Sequence, residues 1–239
     1  QAIRVRQPDG SMTEEKFTVR RSIHGPVVSE KDSKALALRV AGLDQPHMFE
    51  QYWDMARARN LKEFEAAFSR LQIPMFTVIY ADRDGHIMHV FGGRVPVRSR
   101  GDWRYWLGVA PGDTSETLWT RTHAYAELPR VVDPPSGWLQ NANDPPWTTT
   151  FPLALDPAKF PPYTAPQTMG FRPQRSARML DEDSRISFDE LVAYKHSTRM
   201  EMADRILPEL LDAARRSGSA TALKAVEVLA AWDRCADAE

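Results

Sequence analysis

Two asparagines one residue apart, Asn141 and Asn143, lie between two proline pairs in the stretch Val132–Trp147, VDPPSGWLQNANDPPW. A carboxamide is a neutral group whose N–H can be aimed where negative charge develops in acyl transfer, provided its backbone is held rigidly. Proline fixes φ and removes a backbone donor, so Pro134-Pro135 and Pro145-Pro146 stiffen both ends of the stretch. Gly137 permits a tight turn between them. Trp138-Leu139-Gln140 offers apolar side chains that can anchor one side while the amides face elsewhere. The same residues suit a surface loop whose asparagines close Asx turns, and local chemistry leaves both readings open.

Other chemistry-bearing residues read as turns. His24, in His24-Gly25-Pro26, has no local partner and fits a turn histidine. Asp82 and Asp84 resemble the start of a calcium loop, but the further spaced carboxylates are missing, and turn chemistry accounts for them. Gly92-Gly93 is not followed by the Gly-Lys-Ser/Thr of a phosphate loop. No Gly-x-Ser-x-Gly elbow occurs, and Ser136-Gly137 has prolines that argue against strand–turn–helix geometry. The six histidines include no His-Glu-x-x-His. His86 and His89 are an odd interval apart, so a regular strand turns them to opposite faces. The lone cysteine, Cys235, excludes an internal disulfide and a Cys-rich metal cluster, and it reads as an incidental helix residue.

The elements that must position the asparagines follow from periodicity. Asp9-Gly10 is a hairpin-type turn. Phe17–Ile23 alternates as a strand and resumes at Val27–Ser29, and Ala35–Ala41 reads as another. Phe49–Arg59 and Leu61–Leu71 have helical spacing, divided at Asn60. Pro74–Tyr80 and Ile87–Phe91 form the clearest hairpin, turning at Asp84-Gly85. Gly101–Tyr125 is a loop-rich segment whose tryptophans either line an acyl-side pocket or, the favoured reading, pack on the sheet, and Phe151–Gly170 is nearly structureless. A loop of that length is usually functional or wraps another part of the molecule. A helix begins at Ser176. Asp183–His196 is a helix with Ser187 as N-cap and Glu190 three residues on. Met200–Arg215 and Thr221–Asp237 are further helices, separated by Ser217-Gly218-Ser219. Strands and short helices followed by a helical last quarter make an α+β pattern with mostly antiparallel pairing.

The 239 residues are 42% hydrophobic and 26% charged, with formal net charge −1. That balance argues against nucleic acid or a membrane surface as the main partner. No run of about 18 apolar residues is present to span a membrane, and the first residues lack the apolar core of a signal peptide.

Val132–Trp147 resembles the SGWLQNANDPPW segment of the penicillin acylase family, the N-terminal-nucleophile amide hydrolases that include penicillin G, cephalosporin and acyl-homoserine-lactone acylases. Phe17–Val28 (FTVRRSIHGPVV), Thr77–Val97 (TVIYADRDGHIMHVFGGRVPV), Gly101-Asp102-Trp103 and Phe171–Leu180 (FRPQRSARML) resemble the same family in the same order. The resemblance implies part of a four-layer αββα sandwich. It implies a nucleophile that is the N-terminal serine of the catalytic chain, freed by self-cleavage, with its own α-amino group as base. Gln1 does not match the family's Ser-Asn-x-Trp start. The alignment places it about a hundred residues inside the catalytic chain, judged from the size of the missing part of the fold. All 239 residues are therefore expected to be one interior fragment, inactive alone, with strands, short helices and long loops over 1–170 and helices over 171–239. Its expected partners are the rest of the acylase and a small N-acyl substrate.

Two site residues carry over from the resemblance. Asn143 matches the oxyanion asparagine, the second of the family's Asn-x-Asn pair. Arg172 matches the arginine beside that asparagine and the nucleophile's amine, with Arg175 or Arg178 as the alternatives if the register shifts and a surface salt bridge as the competing role. Asn141 is expected to be structural. No cofactor is expected. Calcium in the parent enzyme would be bound partly by an aspartate that aligns with Ala154, two residues from Asp156, which puts calcium binding by this segment in doubt. Family precursors are usually exported, which implies a periplasmic or extracellular location. The alternative is a non-catalytic binding or structural module that keeps the acylase scaffold.

Overall fold

The computed structural model describes residues 1–237. Its strands pair only antiparallel, in three small sheets, and its last quarter is helical, so the chain is α+β. Strands β1 (Ala2–Arg6) and β2 (Met12–Lys16) turn through Asp9-Gly10, where Gly10 has φ +85°. Arg4 faces Glu14 across the pair, an opposite-charge match that favours this register.

The strand expected over Phe17–Ile23 is reduced to β3 (Arg21–Ser22), which pairs with β4 (Gly25–Lys31); β4 in turn pairs with β5 (Lys34–Ala37). Phe17 is taken up closing the first hairpin, exchanging hydrogen bonds with Gln1 at 2.9 and 3.0 Å. No layer covers Phe17 or Val19, and alternation without a face to bury does not sustain a strand. The strand expected to run to Ala41 stops at Ala37. Gly25, at φ +138°, admits the close approach of that segment: a Cβ there would lie 2.1 Å from the Leu38 carbonyl oxygen.

Helices α1 (Met48–Arg57) and α2 (Leu61–Phe68) follow, with Asn60 capping α2 through the Glu63 amide. Buried Gln51 fastens them together. Its Nε2 donates to the Phe68 carbonyl at 2.8 Å, and its Oε1 accepts from the Gln72 and Ile73 amides at 2.6 and 2.9 Å. These are backbone groups at and just beyond the end of α2, outside any helix or strand ladder.

The central sheet consists of β6 (Val78–Ala81), β7 (Ile87–Val90) and β8 (Arg130–Val132), in that order. The β6–β7 hairpin matches the sequence expectation. Asp82 organises its turn by accepting from the Asp84 and His86 amides and the Tyr80 hydroxyl. β8 lies in a stretch that reads as loop, because three residues between prolines carry no period. Met88 and Val90 of β7 pack with Phe68, Leu71 and Leu128 as the core against the helices. His89 points to the opposite face, in register with Ile79 and Val131. It is 0% exposed, and neither ring nitrogen has a hydrogen-bond partner. Burial holds it at about 4 against the upward pull of Asp144.

The loop-rich segment contains one short helix, α3 (Trp103–Leu107), and Arg98 stacks over Trp106 at 4.7 Å and over Tyr163 at 5.5 Å. Helix α4 (Phe171–Asp181) starts five residues earlier than the sequence suggests. Pro173 lies in its first turn, where the missing N–H has no intrahelical partner to lose. Then come α5 (Phe188–Lys195), with the expected Ser187/Glu190 capping box, α6 (Glu201–Ser217) and α7 (Ala220–Ala231). Buried Glu201 accepts from Arg178 at 2.6 Å and Arg205 at 2.7 Å, which ties α4 to α6. Cys235 is not on a helix; α7 ends before it, and it bridges to Arg199. Among the described residues no helix is long and apolar enough to cross a membrane.

Candidate active site

The loop between β8 and α4 is built around a polar base. Pro134 and the Gly137 amide close the first turn at 2.9 Å, and Gly137 takes φ +75°. Beyond it, Gln140 is the anchor rather than the apolar Trp138 and Leu139, which are only half-buried. The Gln140 backbone amide donates to the Thr149 carbonyl at 2.8 Å, and its carbonyl accepts from the Thr149 hydroxyl at 2.8 Å. Its Nε2 donates to Asp144 Oδ2 and to the Thr148 carbonyl, both at 2.8 Å. Asp144 also accepts from the Ala142 amide at 2.9 Å and from the Thr148 hydroxyl. Residues 144–150 are all buried, and Asn143 stands exposed on top of them.

Asn143 sits at φ +64°, a left-handed conformation that asparagine tolerates better than most residues. Asn141 Oδ1 accepts from the Asn143 amide at 3.3 Å, an Asx-type contact, so Asn141 supports the turn. The loop is thus both things the residues suggest: an Asx turn below, and one amide displayed above it.

Arg172 meets that amide. Its Nη2 donates to Asn143 Oδ1 at 2.9 Å. With the oxygen engaged, the Nδ2–H2 group is the end left to donate, and it has no partner among the described residues. Arg172 occupies the second position of α4, where the helix dipole favours acids over bases, so its placement does not serve the helix. Arg178 is committed to Glu201, and Arg175 makes no contact with Asn143. Of the three arginines, Arg172 is the one that hydrogen-bonds Asn143, and it forms no ion pair among the described residues.

Asp144 and Gln140 escape sequence reasoning. Asp144 reads as one more turn residue, and only its depth identifies it as the post that holds the loop. Replacing Asp144 by alanine strands the half-buried Ala142 amide and removes the acceptor of the buried Gln140 Nε2 and Thr148 hydroxyl. Urea unfolding is expected to show a loss of about 1–3 kcal/mol, the usual cost of an unsatisfied buried group, and Asp144→Asn a smaller one.

The other candidates stay where turn chemistry puts them. His24 contacts the Gly112 carbonyl at 3.1 Å, and exposed His86 contacts Asp133 at 2.7 Å, which raises the histidine's pKa and lowers the carboxylate's. Asp156 is used in capping, accepting from the Ala158 amide at 3.0 Å, and Ala154 has no side-chain oxygen to offer. These residues do not fit a calcium site. The ligand atoms of Asp233, Cys235 and Asp237 lie within 4.8 Å of one another, but a thiol is not part of the oxygen-only set that calcium takes.

The chain is similar to known proteins in fold and in sequence. The thermostable penicillin G acylase of Alcaligenes faecalis superposes with a TM-score of 0.75 at 23% identity, over 100% of this chain and 42% of that one. That shared fold is the N-terminal-nucleophile hydrolase architecture. The penicillin amidase family model matches residues 1–239, and the chain belongs to that family. It is 26% identical to the acyl-homoserine lactone acylase PvdQ of Pseudomonas putida, over 98% of this chain and 33% of that protein. It is 28% identical to the penicillin acylase 2 proenzyme of a Pseudomonas species, over 93% of this chain and 28% of the proenzyme. The chain thus spans about a third of the length of these curated relatives.

Proposed function

We propose that this chain is the oxyanion-stabilising portion of a larger acylase that hydrolyses a linear amide and releases an acyl chain from a small amine. The observation that carries the reading is the Arg172–Asn143 hydrogen bond at 2.9 Å, which turns one carboxamide N–H outward from a rigid base. In this reading a serine at the start of the catalytic chain attacks the amide carbon, and its α-amine takes the proton. Negative charge gathers on the carbonyl oxygen and Asn143 Nδ2 donates to it; collapse breaks the C–N bond, the leaving amine takes the proton held by the α-amine, and water then hydrolyses the serine ester to release the acyl chain as its acid. Arg172 keeps the Asn143 oxygen away from that charge and places a fixed positive charge beside the amine. The amine product by this reading is a β-lactam nucleus or a homoserine lactone, as the names of the relatives suggest. The location would be periplasmic or extracellular, as for family precursors.

The test begins with the product of the complete gene. N-terminal sequencing and intact mass should give a chain starting with serine, and that assembled protein should cleave N-acyl amides. The 239 residues alone are expected to show no turnover, because they supply electrophile stabilisation without the serine. Turnover by the pure 239-residue chain, lost on Asn143→Ala, would overturn the reading and point to another nucleophile. An uncleaved parent without the serine would leave a binding module on an acylase scaffold.

A further inference from the structure

Away from Asn143 lies a cleft of about 1,110 Å³ between β3–β4, residues 38–44 and residues 119–122. Its charge runs against that of the chain. Arg21, Arg39, Arg94 and Arg121 line it with one carboxylate, Asp44, so four positive charges less one negative leave +3, where the whole chain is −1.

Three of these arginines, Arg21, Arg39 and Arg94, form no ion pair among the described residues, and Arg121 alone pairs with a carboxylate. Arg39 directs its guanidinium at two neutral acceptors, the Ile23 and Trp119 carbonyls at 3.3 and 3.1 Å, and stacks on Trp119 at 5.4 Å. Arg121 reaches Glu127 at 3.6 Å. Like charges gathered in a concave surface repel one another and draw in anions. Guanidinium forks match carboxylates in particular.

The same wall also exposes apolar side chains: Ile23 is 72% exposed, Leu38 50% and Leu43 77%. A free inorganic anion makes no use of those. The outer edge of β3 pairs with no strand, which leaves backbone groups for an added segment. The volume exceeds the roughly 300–1,000 Å³ of small-molecule pockets.

We propose that this cleft seats an acidic, partly apolar segment from the remainder of the parent acylase, laid along the β3 edge with its carboxylates on Arg21 and Arg94. The proposal rests on the reading of this chain as part of a larger acylase. It adds which surface receives the rest of the protein, and by what chemistry.

The test is carbodiimide cross-linking in the full-length parent carrying Arg21→Lys and Arg94→Lys, which keep the positive charge and supply an amine to cross-link. The expected result is a zero-length cross-link from position 21 or 94 to an aspartate or glutamate outside residues 1–239, with a yield that falls as salt rises. Cross-links only to Asp44 or other carboxylates within these residues, none at all, or links to an unrelated polypeptide overturn the docking surface. The two readings fail separately. A parent without amidase activity that gives the cross-link keeps the docking surface and loses the acylase assignment. An active parent without the cross-link does the reverse.

Discussion

Replacing Asn143 by alanine in the assembled acylase is expected to lower kcat by about 10²–10³-fold, the loss of about 2.7–4 kcal/mol typical of one oxyanion donor. KM should change little, because the interaction strengthens only as charge develops on the carbonyl oxygen. Folding should be nearly unaffected, since Asn143 stands exposed and the loop is held from below by Gln140 and Asp144. Alanine is less at ease than asparagine at φ +64°, so Asn143→Gly is the decisive companion. Glycine removes the amide without backbone strain, and it should lose as much kcat as alanine does. A glycine variant near wild-type rate would show that the amide is not the donor and that Asn143 only shapes the turn. Arg172→Met removes the group that orients the amide while leaving the amide itself. It should cost less, about ten- to a hundredfold, in line with the 1.5–3 kcal/mol of a charge-assisted hydrogen bond. Chromogenic N-acyl substrates assayed at saturating and limiting concentrations separate these outcomes.

The second large effect concerns acid stability and centres on His89. It is fully buried, with neither ring nitrogen partnered, and its pKa falls from 6.5 to about 4 because burial penalises the charged form. Asp144 pulls in the other direction and loses. The sign follows from proton counting. Between pH 6.5 and 4 the unfolded chain binds a proton at His89 that the folded chain refuses, so stability falls as pH falls through that window. At about 1.4 kcal/mol per pH unit, this histidine alone removes about 3 kcal/mol by pH 4. That is a large share of the 5–15 kcal/mol of an ordinary domain. Urea unfolding of the folded protein at pH 7 and pH 4.5 should therefore show a steep loss, and His89→Met should flatten it while remaining folded at pH 7. An unchanged pH slope in the methionine variant would mean that His89 is hydrated or paired. Asp144→Asn supplies a check on the opposing pull. Removing that carboxylate should move the His89 titration lower still, which NMR of the ring would read.

Much of this protein is legible in the chain itself. Where a face is buried against something local, the period survives. The β6–β7 hairpin, α1, α2 and the capped α5 stand where alternation, helical spacing and the Ser187/Glu190 box place them. Phe17–Ile23 fails because alternation says which face a strand would bury, not whether anything covers it. Helix α4 starts early because Pro173 breaks a helix only when it has a hydrogen bond to remove. β8 has no local signal at all: three residues become a strand because β7 offers an edge to pair with.

The candidate site divides the same way. The residue types and spacing around Asn141 and Asn143 establish that a stiff, amide-bearing loop exists, since proline and glycine act on their own backbone. That Asn143 is the amide displayed and Asn141 the one beneath it was decided by the fold, because the two share one chemistry and differ only in depth and φ. That Arg172 rather than Arg178 reaches Asn143 was likewise settled in space. The buried Glu201 on α6 claims Arg178, and a claim by a residue 23 positions away leaves no trace in local sequence. Local backbone chemistry is written in the chain, whereas partner choice among like side chains depends on distances that only packing creates.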